Sequence, residues 1–206
     1  MLHNRFDLQR TYCPRDYTKV LRKLFTITGK PMRRFIALGC GNGDIFTAAA
    51  RFASESCMFV GIEGGSLVGA CLGDEFVHAS MIISRQLQRP IRGIQKETLF
   101  SDSKHIIESK DNDKITAIHL YDGGILSKAV IEDVIGAISV VSRHSVMCFV
   151  TSKVKNILPS DVAADYVFIK RRMQRTGVWK CKRSYTFDVC ENEVHEPTMQ
   201  SLWFIQ

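Results

Sequence analysis

Nowhere in these 206 residues does an apolar run approach the roughly 20 residues that a membrane-spanning helix needs, so no membrane partner is expected. The opening segment, MLHNRFDLQR, has charge but no apolar stretch behind it, and does not read as a secretory signal. There is no repeat and no low-complexity linker, and the length suits one domain with a full core better than two. The seven cysteines, at 13, 40, 57, 71, 148, 181 and 190, form no C-x-x-C pair, and the six histidines show no ligand spacing. Neither a zinc site nor a disulfide framework is expected from them. Cys57, in Ser56-Cys57-Met58-Phe59-Val60, and Cys148, in Val146-Met147-Cys148-Phe149, sit in apolar runs where a free cysteine serves as a small core hydrophobe. A reducing compartment, cytosol or nucleus, follows.

Hydrophobic residues at 45% and charged residues at 24% are the ordinary balance of a globular protein, but the net charge of +7 is spread unevenly. Residues 1–34 hold nine Lys or Arg (5, 10, 15, 19, 22, 23, 30, 33 and 34) against Asp7 and Asp16. A second cluster, Lys170, Arg171, Arg172, Arg175, Lys180, Lys182 and Arg183, has no acid between Asp165 and Asp188. Such runs are either solvated faces or contacts for an anionic macromolecule.

Apolar periodicity orders the elements. Residues 15–28 read as a helix with Val20, Leu21, Leu24 and Phe25 on one stripe. Phe35-Ile36-Ala37-Leu38 reads as a strand buried on both faces, 45–52 as an Ala-rich helix, and 57–62 as a second buried strand. A longer helix is predicted over 67–88, broken by Pro90, with a brief strand at 91–94. A strand at 115–120, a helix at 127–138 and a strand at 145–151 follow. Residues 166–173 and 184–190 read as two strands joined by a basic turn, and 195–206 as a short tail. Alternating strands and helices imply a parallel α/β sheet with right-handed crossovers. Closing on an antiparallel hairpin, this order resembles the Rossmann-like class I methyltransferases, whose sheet has seven mostly parallel strands. That reading places a basic helical or lid segment over 1–34 and the catalytic domain over 35–206.

Ligands in such sheets bind at the carboxyl ends of the strands, where the strand order switches. The first strand runs into Gly39-Cys40-Gly41-Asn42-Gly43-Asp44. Alternate glycines let the backbone turn tightly and approach a ligand. The dinucleotide fingerprint requires its third glycine at position 44, which is Asp44, and no P-loop Gly-Lys-Ser/Thr is present. The loop fits instead the G-x-G-x-G pattern of methyltransferases, which bind S-adenosylmethionine. Glu63, twenty residues past Gly43 and followed by Gly64, is the candidate acceptor for ribose hydroxyls. Glu97 or Thr98 is the candidate partner for the adenine amine, with Leu99 or Phe100 as its apolar face.

The fourth strand ends in Tyr121-Asp122-Gly123-Gly124, the candidate acceptor side. The Pro-Pro-Tyr motif of amino-directed nucleic-acid methyltransferases is absent, as is the catalytic Pro-Cys of the cytosine-directed branch. Methyl transfer is an in-line displacement, so the protein mainly aligns and desolvates the nucleophile. A lysine nucleophile must also lose its proton, which an apolar aromatic channel favours. Trp179 and Tyr185, with Tyr121, are the candidates for such a channel.

Gly39 to Gly43, Val60-Gly61-Ile62-Glu63, Thr98-Leu99-Phe100-Ser101 and Gly177-Val178-Trp179 with Ser184-Tyr185-Thr186-Phe187 resemble motifs of the disruptor-of-telomeric-silencing family. These are the non-SET, Dot1-like histone lysine methyltransferases, and the resemblance runs over roughly residues 11–191. It departs from the family where Tyr121-Asp122 replaces paired asparagines, where Leu99 stands for an adenine-stacking Phe, and in a short N-terminal helical region. It implies a nuclear protein-lysine methyltransferase acting on the nucleosome core. Glu63 would hold the ribose, Trp179 and Tyr185 would line the lysine channel, and Thr11-Tyr12-Cys13-Pro14 would act as a cofactor lid. The basic clusters over 5–34 and 170–183 would meet DNA or an acidic histone face. A nucleic-acid methyltransferase and a catalytically inert binding module remain as alternatives, and the oligomeric state is left open.

Overall fold

The computed structural model describes residues 14–40, 44–64, 84–85, 87–88, 90–96, 104–108, 113–122, 126–152, 158–191 and 194–205. Five parallel strands form its centre: β1 (Arg34–Leu38), β2 (Met58–Gly64), β3 (Ile91–Lys96), β4 (Thr116–Asp122) and β5 (Val146–Ser152). A C-terminal hairpin, β6 (Trp179–Glu191) and β7 (Val194–Ile205), adds antiparallel to β5 through β7. The strand order is β3-β2-β1-β4-β5-β7-β6. The described helices are α1 (Pro14–Thr26), α2 (Asp44–Ala50), α3 (Lys104–Ile107), α4 (Lys128–Ile138) and α5 (Tyr166–Arg175). Most of the helix expected over 67–88 lies outside the described residues.

Each β1 residue is buried, as expected of a central strand covered on both faces. Alternation then sorts the side chains into two cores. Phe35, Ala37, Phe59, Ala117, Cys148 and Val150 pack with Leu21 and Leu24 of α1 and Phe46 of α2. Phe35 is the hub, with Phe25, Phe46 and Phe59 at ring-centroid distances of 5.5, 6.1 and 6.0 Å in tilted or edge-on contact. Ile36, Leu38, Ile62, Ile118, Leu120 and Phe149 form the opposite face beneath α3, α4 and α5. Cys57 and Cys148 are buried hydrophobes, in keeping with their apolar runs.

Arg34 is the large charged side chain in this interior, at 1% exposure. Its guanidinium donates to Thr116 Oγ1 (3.2 Å) and to the carbonyls of Ile106 (3.3 Å) and Ile107 (3.0 Å). The C-terminal carbonyls of α3 thereby find a cation, which suits the negative end of a helix.

Two elements differ from the sequence expectation. Residues 166–173, expected as a strand, lie in α5. Asp165 caps that helix, its Oδ1 accepting from the Phe168 amide at 2.7 Å, and Ile169 and Met173 meet on one buried face four residues apart. The β-favouring Tyr166-Val167-Phe168-Ile169 run was outweighed by this cap and by tertiary packing. Residues 195–206, expected as a tail, lie almost wholly in β7, the strand inserted between β5 and β6. Pro197 argues against a strand, but β5 ends at Ser152 opposite Thr198, so Pro197 lies past the last β5 pairing and breaks none. The β6–β7 pairing runs on beyond the β5 contact from there as far as Glu191 and Val194.

Candidate functional site

Strand register aligns one transverse row at the carboxyl end of the sheet. Leu38, the last residue of β1, pairs with Ile62 on β2 and Leu120 on β4. One residue further on are Gly39, Glu63 and Tyr121. Glu63 pairs onward with Gln95, while Tyr121 pairs with Val150, Val150 with Gln200, and Gln200 with Tyr185. Gly39, just past the end of β1, thus lies between Glu63 on β2 and Tyr121 on β4, two strands about 10 Å apart at a strand spacing near 4.8 Å. This is where the order reverses, β1 leading to β2 and β3 on one side and β4 and β5 on the other.

The chain turns sharply there because Gly39 adopts φ +72°, a left-handed conformation that glycine takes without steric penalty. Its amide donates to the Ile62 carbonyl at 2.8 Å, and the Cys40 amide donates to the same oxygen at 3.3 Å. The turn out of β1 is thereby tied to the strand that supplies Glu63. Cys40 itself is buried among the α1 and α2 contacts, so its side chain serves the core. Gly64 and Asp122 occupy the next row, opposite Lys96 and Thr151. Gly41, Asn42, Gly43, Glu97, Thr98, Leu99 and the proposed lid residues Thr11, Tyr12 and Cys13 lie outside the described residues.

The expectation that Trp179 and Tyr185 share a channel is corrected by the register. Tyr185 stands in the carboxyl-end row, three strands from Tyr121 and roughly 15 Å away. Trp179 pairs with Ile205, whose amide donates to Ser145 O at the amino end of β5. Six residues of extended strand, roughly 20 Å, separate Trp179 from Tyr185. Trp179 is 2% exposed within the hydrophobic core, and its indole Nε1 has no hydrogen-bond partner among the described residues. The sequence pattern placed both aromatics on one hairpin but could not say which end of the sheet each would reach.

Sequence reasoning passed over His119, two residues before Tyr121 on β4. It is fully enclosed, registered between Ala37 and Cys148, and burial lowers its pKa from 6.5 to about 3. A neutral imidazole therefore stands beneath the candidate acceptor row. The available signal was a histidine inside the apolar run Ile118-His119-Leu120.

The strand order, the terminal hairpin and the switch point between β1 and β4 define the Rossmann-like class I methyltransferase fold. Solved structures agree. The N-methyltransferase NodS from Bradyrhizobium japonicum WM9, in complex with S-adenosyl-L-homocysteine, superposes with a TM-score of 0.63 at 9% identity, covering 93% of this chain and 86% of that one. The O-methyltransferase TomG from Streptomyces achromogenes, involved in tomaymycin synthesis and in complex with S-adenosylmethionine, gives 0.61 at 10% identity, covering 99% and 86%. An O-methyltransferase from Bacillus cereus, in complex with S-adenosylhomocysteine, gives 0.59 at 12% identity, covering 96% and 84%. No known sequence family matches this chain. No curated protein matches it either.

Proposed function

We propose that this protein is an S-adenosylmethionine-dependent methyltransferase whose acceptor is a lysine amine of a histone in the nucleosome. The observation that carries the cofactor reading is the juxtaposition of the left-handed Gly39 turn, Glu63 and Tyr121 at the switch point. The turn fits close approach of a ligand to the backbone, and an acid on the neighbouring strand suits ribose hydroxyls. Gly39 to Gly43 would hold the cofactor's amino-acid end, Glu63 the ribose, and Glu97, Thr98 and Leu99 the adenine. Bound there, the cofactor supplies an electrophilic methyl group. The protein's own task is to align the acceptor nitrogen, exclude water and receive the proton the amine gives up.

The lysine assignment rests on the Dot1-like resemblance of the Val60 to Glu63 and Ser184 to Phe187 segments and on Tyr185 sharing the row with Tyr121. Trp179 no longer supports it, being enclosed at the other end of the sheet. Such a substrate would place the protein in the nucleus. A nucleic-acid acceptor is the second reading, favoured by the exposed Lys170, Arg171 and Arg175 of α5.

Calorimetry with S-adenosylhomocysteine tests the cofactor, with Glu63→Ala expected to weaken binding by roughly 10- to 100-fold, the worth of hydrogen bonds to a charged group. Undiminished binding by that variant would remove Glu63 from the site. Radiolabelled S-adenosylmethionine offered with nucleosomes, free histones and RNA then reads the acceptor. Label in a histone lysine is expected, and label confined to RNA would transfer the assignment to the second reading.

A further inference from the structure

We propose that the amino end of the sheet, opposite the candidate cofactor crevice, is a docking surface for the phosphate backbone of duplex DNA. The described parts of five helix-to-strand connections lead to this end. Each carries, or is flanked by, exposed cations: Lys30 and Arg33 before β1, Arg51 before β2, Lys114 before β4, Arg143 before β5, and Arg175 and Lys180 around the start of β6. Register sets Lys180 at the level of this end, since Lys180 pairs with Phe204 and Phe204 with Val146, the first residue of β5. The acids described in these connections are Glu55, Asp113 and Glu108, and Glu108 is engaged by Lys104 at 3.8 Å.

From β1 across β4, β5 and β7 to β6 this rim spans four strand spacings, roughly 19 Å. That length faces about six base pairs at 3.4 Å per step. The large hydrophobic side chains exposed among the described residues are all valines, Val140, Val162, Val167 and Val178. A single strand is gripped chiefly by stacking on aromatics, whereas a duplex can be held by cations alone. The surface therefore suits a duplex. It lies about six residues of strand, roughly 20 Å, from the Gly39 row, so anchoring there leaves the crevice open to an acceptor. The inference does not depend on the methyltransferase reading.

Fluorescence anisotropy of a labelled 20-base-pair DNA duplex, titrated at several salt concentrations, is the test. Lys114→Gln/Arg143→Gln/Lys180→Gln is compared with an equal charge change outside both basic clusters, at or after the carboxyl ends of β3, β4 and β5, Lys96→Gln/Lys128→Gln/Lys153→Gln. The rim variant is expected to lose at least about tenfold in affinity at low salt, and to flatten the dependence of log K on log salt by about 2 to 3, near 0.9 per phosphate contact. The control is expected to lose distinctly less. Arg143→Glu alone, an exposed single change, is expected to flatten the slope by about 1 and serves if the triple variant is unstable. Equal losses in rim and control variants, or tenfold preference for single-stranded RNA or an RNA duplex over DNA, would overturn the proposal. S-adenosylhomocysteine binding is measured on the same samples, so loss of DNA binding and failure of the cofactor reading register separately.

Discussion

Among single residues, Gly39 and Trp179 respond to substitution for opposite reasons. At Gly39 the backbone conformation is what matters. A Cβ at φ +72° costs about 1–2 kcal/mol, and relaxing that strain would pull the Gly39 amide off Ile62 O and shift the turn that the crevice depends on. Gly39→Ala is expected to lower stability by about that amount and to weaken S-adenosylhomocysteine binding as well, checked by denaturant titration and calorimetry on the same preparation. At Trp179 packing is what matters. Trp179→Ala is expected to cost about 3–5 kcal/mol as a large core truncation. Trp179→Phe loses less, because it also removes a buried indole N–H that has no acceptor among the described residues. On the proposed methyltransferase reading, methyl transfer by folded Trp179→Phe protein should match wild type; a selective fall in rate at unchanged stability would return Trp179 to the candidate acceptor channel.

Among the elements, α5 shows how local chemistry decides between helix and strand. Asp165→Ala removes the carboxylate that accepts from Phe168 N and is expected to destabilise the protein by about 1 kcal/mol, read as a lowered denaturant midpoint with unchanged m-value. Strands β1, β2, β4 and β5 were legible because burial on both faces leaves short continuous apolar runs bounded by turn residues. Helix α4 was legible from its 3.6-residue period and Ser127, whose Oγ accepts from Val130 N at 3.3 Å. Helix α5 was not, since its β-branched and aromatic first turn masks the Ile169–Met173 spacing. Nor was β7, where Pro197 and scattered polar residues hide a strand set by pairing with distant β5. The Gly39 turn and Glu63 could be placed because each follows a readable strand by a fixed step. The separation of Trp179 from Tyr185 could not, because it depends on hairpin register, a long-range property.

Across the whole molecule, two cores on either face of one sheet leave His119 enclosed at the centre, and its protonation is coupled to global unfolding. Its pKa falls from 6.5 to about 3 on folding because burial disfavours the imidazolium. Between those values the unfolded chain binds a proton at this site and the folded chain does not. Stability contributed by the neutral imidazole is therefore full above pH 6.5 and is lost as pH falls toward 3, at up to about 1.4 kcal/mol per pH unit. Carboxylates also titrate in the lower part of this window, so the isolating comparison is with His119→Leu, a side chain of similar bulk that cannot take up a proton. Denaturant unfolding at pH 7 and pH 4.5 should show the wild type losing about 2–3 kcal/mol more than His119→Leu between the two conditions. The carboxylate contributions are common to both proteins and cancel. Parallel losses would mean that the folded protein admits a proton at His119, and that the sheet beneath the candidate acceptor row is wetter than its packing implies.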